Sequence, residues 1–295
     1  MNIFKLKPAY KDYLWGGNNL RHLFNYKSEA AIIAEAWVLS THREGQSMID
    51  SGQTLKEVIN QESPILIKFI DAKDSLSIQV HPNNEYALKN ENEVGKSELW
   101  HIVDCEKDAY IYLGFNQDIT KEAVKQHIKN NTLTNVLNKI TVNKGDTFYV
   151  EAGTIHAIGS GCLILEVQQS SDSTYRVYDF NRTDNQGKPR ELHIEKALDV
   201  LNLNEAVNDN IIINNEKEIN YTSPYFTFEK YNVKSEKTLD TNTEQFSSLI
   251  ILKGQGQLRT LAKTLEFTQG DCLFIKKDIQ AIKLLGNCEA VLVKV

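Results

Sequence analysis

Gln79 and His81 stand two apart in the run SLSIQVHP, Ser75 to Pro82. The run alternates: Leu76, Ile78 and Val80 are apolar, and Ser75, Ser77, Gln79 and His81 are polar. Successive side chains of a strand point to opposite faces, so Gln79 and His81 share one side, where one ion can touch both. A carboxylate follows at Glu98 in VGKSELWHI, and a second imidazole at His156 after the turn VEAGTIH. Two imidazoles, a carboxylate and an amide oxygen suit a divalent metal such as Zn²⁺, with water or substrate completing the shell. Taken singly, each has a plainer reading. His81 can be a strand-end histidine with a local hydrogen bond, His156 a turn residue, and Gln79 and Glu98 surface groups. The pairing Gln-x-His, joined to the string Gly-x5-Glu-x-Gly-x2-His from Gly145 to His156, makes the set a metal-site candidate.

Such a set needs strands to carry it. Strand-like composition recurs in Ile65–Ala72, Ala109–Phe115, Asp146–Ala152, Cys162–Gln169 and Ser173–Phe180, and again after Asn220. Helical signals are few: Thr54 with Glu57 forms a capping box, and Asp118–Asn131 and Leu192–Asn202 carry helical spacing. Many short strands with turn signals point to a sandwich or barrel. GDTFYVEAGTIHAI from Gly145 and GDCLFIKKDIQAI from Gly270 form a weak repeat, with Gln280 in the second copy where the first has His156. All seven histidines lie at or before His193. If the halves are two similar barrels, only the first can hold a histidine metal site. The expected division is a catalytic domain over 1–204, an Asn- and Glu-rich connector over 205–220, and a β domain without ligands over 221–295.

The net charge of −6 argues against a phosphate-backbone binder and predicts no nucleic-acid partner. The four cysteines form no CxxC pair, so a cysteine zinc site is not expected. No apolar h-region opens the chain, and no run approaches the roughly 20 residues of a membrane span. The expectation is a cytoplasmic protein without a membrane partner, a monomer or weak homodimer.

The Gly145–His156 string resembles the second cupin motif, with Glu151 where proline is typical; Gly153 keeps the turn free to form. The likeness then sharpens. PILIKFIDAKDSLSIQVHP is similar to the segment of class I mannose-6-phosphate isomerases that carries Leu-Ser-Ile-Gln-x-His-Pro. GKSE, Gly95 to Glu98, resembles the family's Lys-Pro-Glu, with Ser97 for proline. AEAWVLSTH resembles its Glu-x-Trp segment and YLWGG its Trp-Gly-Gly. SSDSTYRVYDFNR and RELHIEKAL resemble the short bacterial form. These motifs span Tyr13 to Leu198.

The resemblance implies an all-β-dominated fold of two cupin-type jelly-roll barrels with a few helices. It implies one zinc per chain, bound by Gln79, His81, Glu98 and His156. It also implies an essential Arg176, an active-site Lys96, and an active-site glutamate at Glu166. The implied reaction interconverts mannose 6-phosphate and fructose 6-phosphate through an enediol. That chemistry needs a base, stabilisation of the developing oxyanion, and a grip on the phosphate. The base is open between Lys96, Glu166 and a metal-bound hydroxide. Ser77, on the face of Gln79 and His81, is a candidate for the phosphate, and Trp15 for a pocket wall or a core residue. Arg176 shares a face with Tyr178 and Phe180; if these point inward, so does it, and otherwise it pairs with Asp172 or Asp179 at the surface. Two other functions compete: a metal-dependent bicupin oxygenase, and a non-catalytic sugar-phosphate-binding cupin.

Overall fold

The computed structural model describes residues 2–183, 187–206, 211–212 and 218–295. The protein is mostly β, with three sheets and five short α-helices among the described residues. The sheets are not closed into barrels, so the two-barrel expectation holds only at the level of a β-dominated fold with a cupin domain. Cα packing sorts the chain into two compact units. One takes 1–11, 18–69 and 216–295, and the other 12–17 and 70–215. This grouping differs from the contiguous division read from the sequence. Of the expected connector, 207–210 and 213–217 lie outside the described residues.

In the first unit a nine-stranded antiparallel sheet carries the strands after 218. Its strand Cys272–Lys276 pairs with Ile3–Lys7, which in turn pairs with Met48–Ile49. Pairing of this kind, between the two ends of the chain, is why residues before 70 belong with the C-terminal stretch. Within the same unit the Glu-x-Trp motif has a structural explanation: the indole of Trp37 donates to Glu35 Oε2 at 2.7 Å, and Lys68 Nζ lies 3.6 Å from Glu35 Oε1.

The second unit holds the candidate site. Five strands form a sheet in the order Tyr175–Tyr178, Ile78–Val80, His156–Ile158, Tyr110–Phe115, Leu137–Thr141. Alternation works as expected on the second of these strands. Ile78 and Val80 are fully buried and pack in one cluster with Tyr175, Val177, Val124, Ala197 and Leu198. Val124 lies on the helix Lys121–Lys129, and Ala197 and Leu198 on Ile194–Val200, so helices cover this face. Each buried aliphatic side chain of this kind contributes about 1.5–3 kcal/mol. The opposite face is left to the polar residues.

The capping box at Thr54 and Glu57 is present in full. The helix Asn84–Asn90, capped by Asn83, follows Pro82 directly and has no counterpart in the sequence reading. One strand is shorter than expected: Tyr175–Tyr178 stops before Phe180, because Phe180 and Asn181 take φ of +53° and +55°. The fully buried face of that strand is Tyr175 and Val177, while Arg176 and Tyr178 are partly open. Arg176 is therefore not drawn in by a shared face with Phe180.

The internal repeat is real at the level of hydrogen bonds. In the first copy Asn143 N donates to Asp146 Oδ2 at 2.7 Å, and Gly145 N to Ile102 O at 2.8 Å. In the second, Thr268 N donates to Asp271 Oδ2 at 2.7 Å, and Gly270 N to Ile251 O at 2.8 Å. The copies differ at their ends: His156 is buried, and Gln280 is exposed.

Candidate metal centre and its surroundings

His156 lies opposite Gln79 across one strand pair, and Arg176 lies opposite Gln79 across the next. Three side chains thus stand in a row across three strands, on the face away from Ile78 and Val80. Glu98 enters on a different sheet, as the first residue of the strand Glu98–Cys105. Turns bind these strands together. Gly153 N donates to His81 O at 2.9 Å, with Gly153 at φ +91°, so the turn forms despite Glu151 in the proline position. Lys96 N donates to Pro82 O at 3.0 Å, which sets the Lys96–Glu98 segment beside His81.

The ligating atoms of His81, Glu98 and His156 lie within 4.8 Å of one another, and all three residues are buried. Gln79 Nε2 lies 3.4 Å from His156 Nε2. Oxygen and nitrogen of an amide are assigned from their partners, and a half-turn of this one presents its oxygen to the same point. His81 Nδ1 is 2.9 Å from Ser173 O and His156 Nδ1 is 2.8 Å from Thr154 O. Carbonyls accept only, so each Nδ1 carries the proton and each Nε2 keeps its lone pair. Those Nε2 atoms face Glu98, at 3.1 Å from Oε1 for His81 and 3.8 Å from Oε2 for His156. Two lone pairs opposite a carboxylate repel unless a cation lies among them. Lys96 supplies one: its Nζ is 2.8 Å from Glu98 Oε1 and 3.2 Å from His81 Nε2. Glu98 Oε2 is buried and makes no hydrogen bond to the described residues.

The electrostatics agree. Burial, and next the Lys96 charge, push the His81 imidazole down to about 3, so it is neutral. Burial works to raise the carboxyl of Glu98, but the opposing charges, Lys96 first among them, outweigh it and hold Glu98 well below the ordinary carboxylate range. Neutral imidazoles, an ionised carboxylate and an orphaned buried oxygen are what a divalent cation requires of its ligands.

The other expected residues fall around this set. Glu166 pairs in register with Trp100 and accepts its indole N–H at 2.8 Å, and Trp100 meets the His156 ring edge-on at 5.3 Å. Gln168 lies opposite Glu98, and nothing in its sequence surroundings marks it. Ser77 is buried and donates to Gln79 Oε1 at 3.5 Å. Arg176 Nη1 donates to Glu191 O at 2.8 Å, so neither Asp172 nor Asp179 is its hydrogen-bond partner. Trp15 is buried and lines a cavity with Asp179, Arg182 and Arg190. These last three lie within motifs that the sequence marks, yet those motifs alone assign them no role.

Comparison with known proteins places the whole chain. Residues 3–98 match the catalytic domain of type I phosphomannose isomerase, and 216–295 match the mannose-6-phosphate isomerase cupin domain. The chain is 37% identical to a mannose-6-phosphate isomerase of Streptococcus mutans, over 94% of this chain and 93% of that one. It is 35% identical to the mannose-6-phosphate isomerase ManA of Bacillus subtilis, over 97% and 96%. The crystal structure of the mannose 6-phosphate isomerase from Bacillus subtilis superposes with a TM-score of 0.88 at 30% identity, covering all of both chains. A mannose 6-phosphate isomerase bound with zinc and yttrium shares the fold, at a TM-score of 0.79 and 17% identity. On these matches and this geometry, the chain belongs to the type I phosphomannose isomerase family.

Proposed function

We propose that the chain is a metal-dependent aldose–ketose isomerase that interconverts mannose 6-phosphate and fructose 6-phosphate. The observation that carries this reading is the buried His81–Glu98–His156 donor set with an unbonded Glu98 oxygen, in a chain of this family. Gln79, His81, Glu98 and His156 would hold one zinc per chain. When bound, the ion supplies Lewis-acid stabilisation of charge on the sugar's carbonyl oxygen and a template for its hydroxyls.

The chain's own groups must move the protons. A base takes the proton from C2, the enediol forms, and a proton is delivered to C1 while another passes between O1 and O2. Lys96 and Glu166 are the protein groups suited to this. Both are buried, Lys96 against Glu98 and Glu166 against the Trp100 indole. Arg176, in register with Gln79, offers a fixed positive charge to the enediolate. Ser77 steadies the Gln79 amide. The cations Lys96 and Arg176 favour an anionic sugar phosphate over the substrate of a bicupin oxygenase, and turnover separates an enzyme from a binding protein.

The same reading takes the chain as a duplication of two cupin-type jelly rolls whose sheets stay open, a catalytic copy over 1–204 and a second over 221–295 without ligands. The matching turns at Asp146 and Asp271 favour such a duplication. Sugar phosphates are retained inside cells, so the proposed place of action is the cytoplasm, with the chain as monomer or weak homodimer.

The test strips the protein with chelator, adds back zinc, and follows fructose 6-phosphate formed from mannose 6-phosphate. Wild type should regain turnover, and His156→Ala should fall at least about 100-fold, as loss of a ligand exceeds the usual effect of its supporting partners. Folded wild type without turnover at any zinc level overturns the isomerase reading.

A further inference from the structure

Arg182 and Arg190 converge on one buried carboxylate. Arg190 donates Nε to Asp179 Oδ2 at 2.7 Å and Nη2 to Asp179 Oδ1 at 2.6 Å. Arg182 donates Nη2 to the same Oδ1, and Nη1 to the carbonyl of Ser75. The Asp179 side chain is 5% exposed, whereas those of Arg182 and Arg190 are 31% and 32% exposed. The charges of Arg190, Asp179 and Arg182 all act on Arg176. Its Nε is buried without a hydrogen-bond partner among the described residues. Two guanidiniums therefore bind one carboxylate, with a third nearby, and the cluster keeps a net positive charge that a further anion would neutralise.

The chain is strained to build this arrangement. Phe180 and Asn181, between Asp179 and Arg182, both take left-handed backbone, and Arg182 N returns to Asp179 O at 3.0 Å. A bulky residue adopts that conformation only where its surroundings impose it, and such strain clusters at ligand clamps.

The cluster borders a cavity of about 370 Å³ lined by Tyr13, Trp15, Asp179, Arg182 and Arg190. Asp12 and Asp74 also line it, but both are exposed, where solvent screens them. The distance to the metal centre is short in chain terms. Arg176 is opposite Gln79, and Ser75, held by Arg182, precedes Gln79 by four residues. Four residues span at most about 14 Å. An open-chain sugar with a terminal phosphate, met by an arginine side chain, covers that interval.

We propose that Arg182 and Arg190, oriented by Asp179, grip the phosphoryl group of the substrate, with Trp15 walling the cavity that receives it. The sugar end of this assignment rests on the isomerase reading; the anion subsite stands on its own residues. Asp179 takes the Nε–Nη2 edge of Arg190 and, with Ser75, all three nitrogens of Arg182. Both guanidiniums are thus oriented in advance and offer the phosphate Arg190 Nη1 and the remaining Nη hydrogens. Asp179 is a positioning residue, since both its oxygens are taken.

The experiment compares zinc-loaded wild type with Arg182→Gln, Arg190→Gln and Arg190→Lys. Turnover is measured on mannose 6-phosphate, and inorganic phosphate is titrated as inhibitor. Each glutamine variant should raise KM for mannose 6-phosphate about 10- to 100-fold with a smaller change in kcat, and weaken phosphate inhibition in step. Arg190→Lys, which keeps the charge and loses the fork, should fall between; it also serves if the glutamine variants do not fold. Asp179→Asn should raise KM without matching loss of kcat. Variants that melt like wild type and keep its KM and phosphate inhibition overturn the assignment, as does loss confined to kcat. If wild type proves not to be an isomerase, calorimetry with fructose 6-phosphate and inorganic phosphate still decides the subsite. Weaker binding to Arg190→Lys supports it, and equal binding, or none to wild type, overturns it.

Discussion

Lys96 places a positive charge against the carboxylate and one imidazole of the donor set. Its ammonium bridges Glu98 and His81, and leaves Glu98 Oε2 without a hydrogen bond. A buried neutral imidazole makes folding sensitive to pH. The His81 pKa is depressed from about 6.5 to about 3 by burial and by Lys96, so the unfolded chain binds the proton that the folded one refuses. The stability this confers is present above about pH 6.5 and is lost as pH falls toward 3. Glu98, held well below its ordinary range, acts in the same direction. Each tenfold change in proton affinity between folded and unfolded chain is worth about 1.4 kcal/mol, so the effect amounts to a few kcal/mol. Chelated protein should therefore lose melting temperature progressively from pH 6.5 to pH 4. A flat profile across that window would contradict the buried neutral imidazole.

At the scale of elements, the spacing between His81 and Glu98 is set by a helix and a glycine. The helix Asn84–Asn90 starts right after the His81–Pro82 strand end, and Gly95 N donates to Asn84 Oδ1 at 2.8 Å. A Cβ on Gly95 would lie 2.5 Å from Asn83 C and from Asn84 N, both backbone atoms that cannot swing aside. Gly95→Ala should cost about 1–3 kcal/mol and shift Lys96 and Glu98 together. Thermal melts and zinc affinity would both fall; an unchanged zinc affinity would mean that this packing does not set the site. Strands with clear alternation or β-branched runs are legible in the sequence, as Ile65–Ala72 and Cys162–Gln169 show residue for residue. The metal-ligand candidates are legible too, because Gln-x-His and the Gly145–His156 string are local patterns. The Asn84–Asn90 helix is not, because its seven residues are mostly polar and its one fully buried member, Ala87, gives no apolar period. Nor is the Arg182–Asp179–Arg190 cluster, because seven residues lie between its two arginines, and it takes the turn at Phe180 and Asn181 together with the Thr183–Pro189 bridge to bring both to one carboxylate.

For the whole molecule, the grouping of 1–11 and 18–69 with 216–295 is hidden from the sequence, since pairing between chain ends leaves no local trace. It has a direct consequence for truncation. A chain ending near Asn204 removes Cys272–Lys276 and with it the sheet partner of Ile3–Lys7. Such a fragment should be insoluble or melt without cooperativity, despite retaining every candidate metal ligand. A soluble, cooperatively melting fragment with zinc-dependent turnover would show instead that the first 204 residues fold by themselves.

The pairing of Ile3–Lys7 with Cys272–Lys276 also sets a timetable for synthesis. The two strands lie about 270 residues apart, so the second is made long after the first. At about 5–20 residues per second, that wait is on the order of 15–50 s. During it an apolar strand edge is exposed to chaperones and to other nascent chains. Lys5 and Lys7, carried on that strand, put charge on its open edge, the feature that keeps unpaired edges from pairing with other chains.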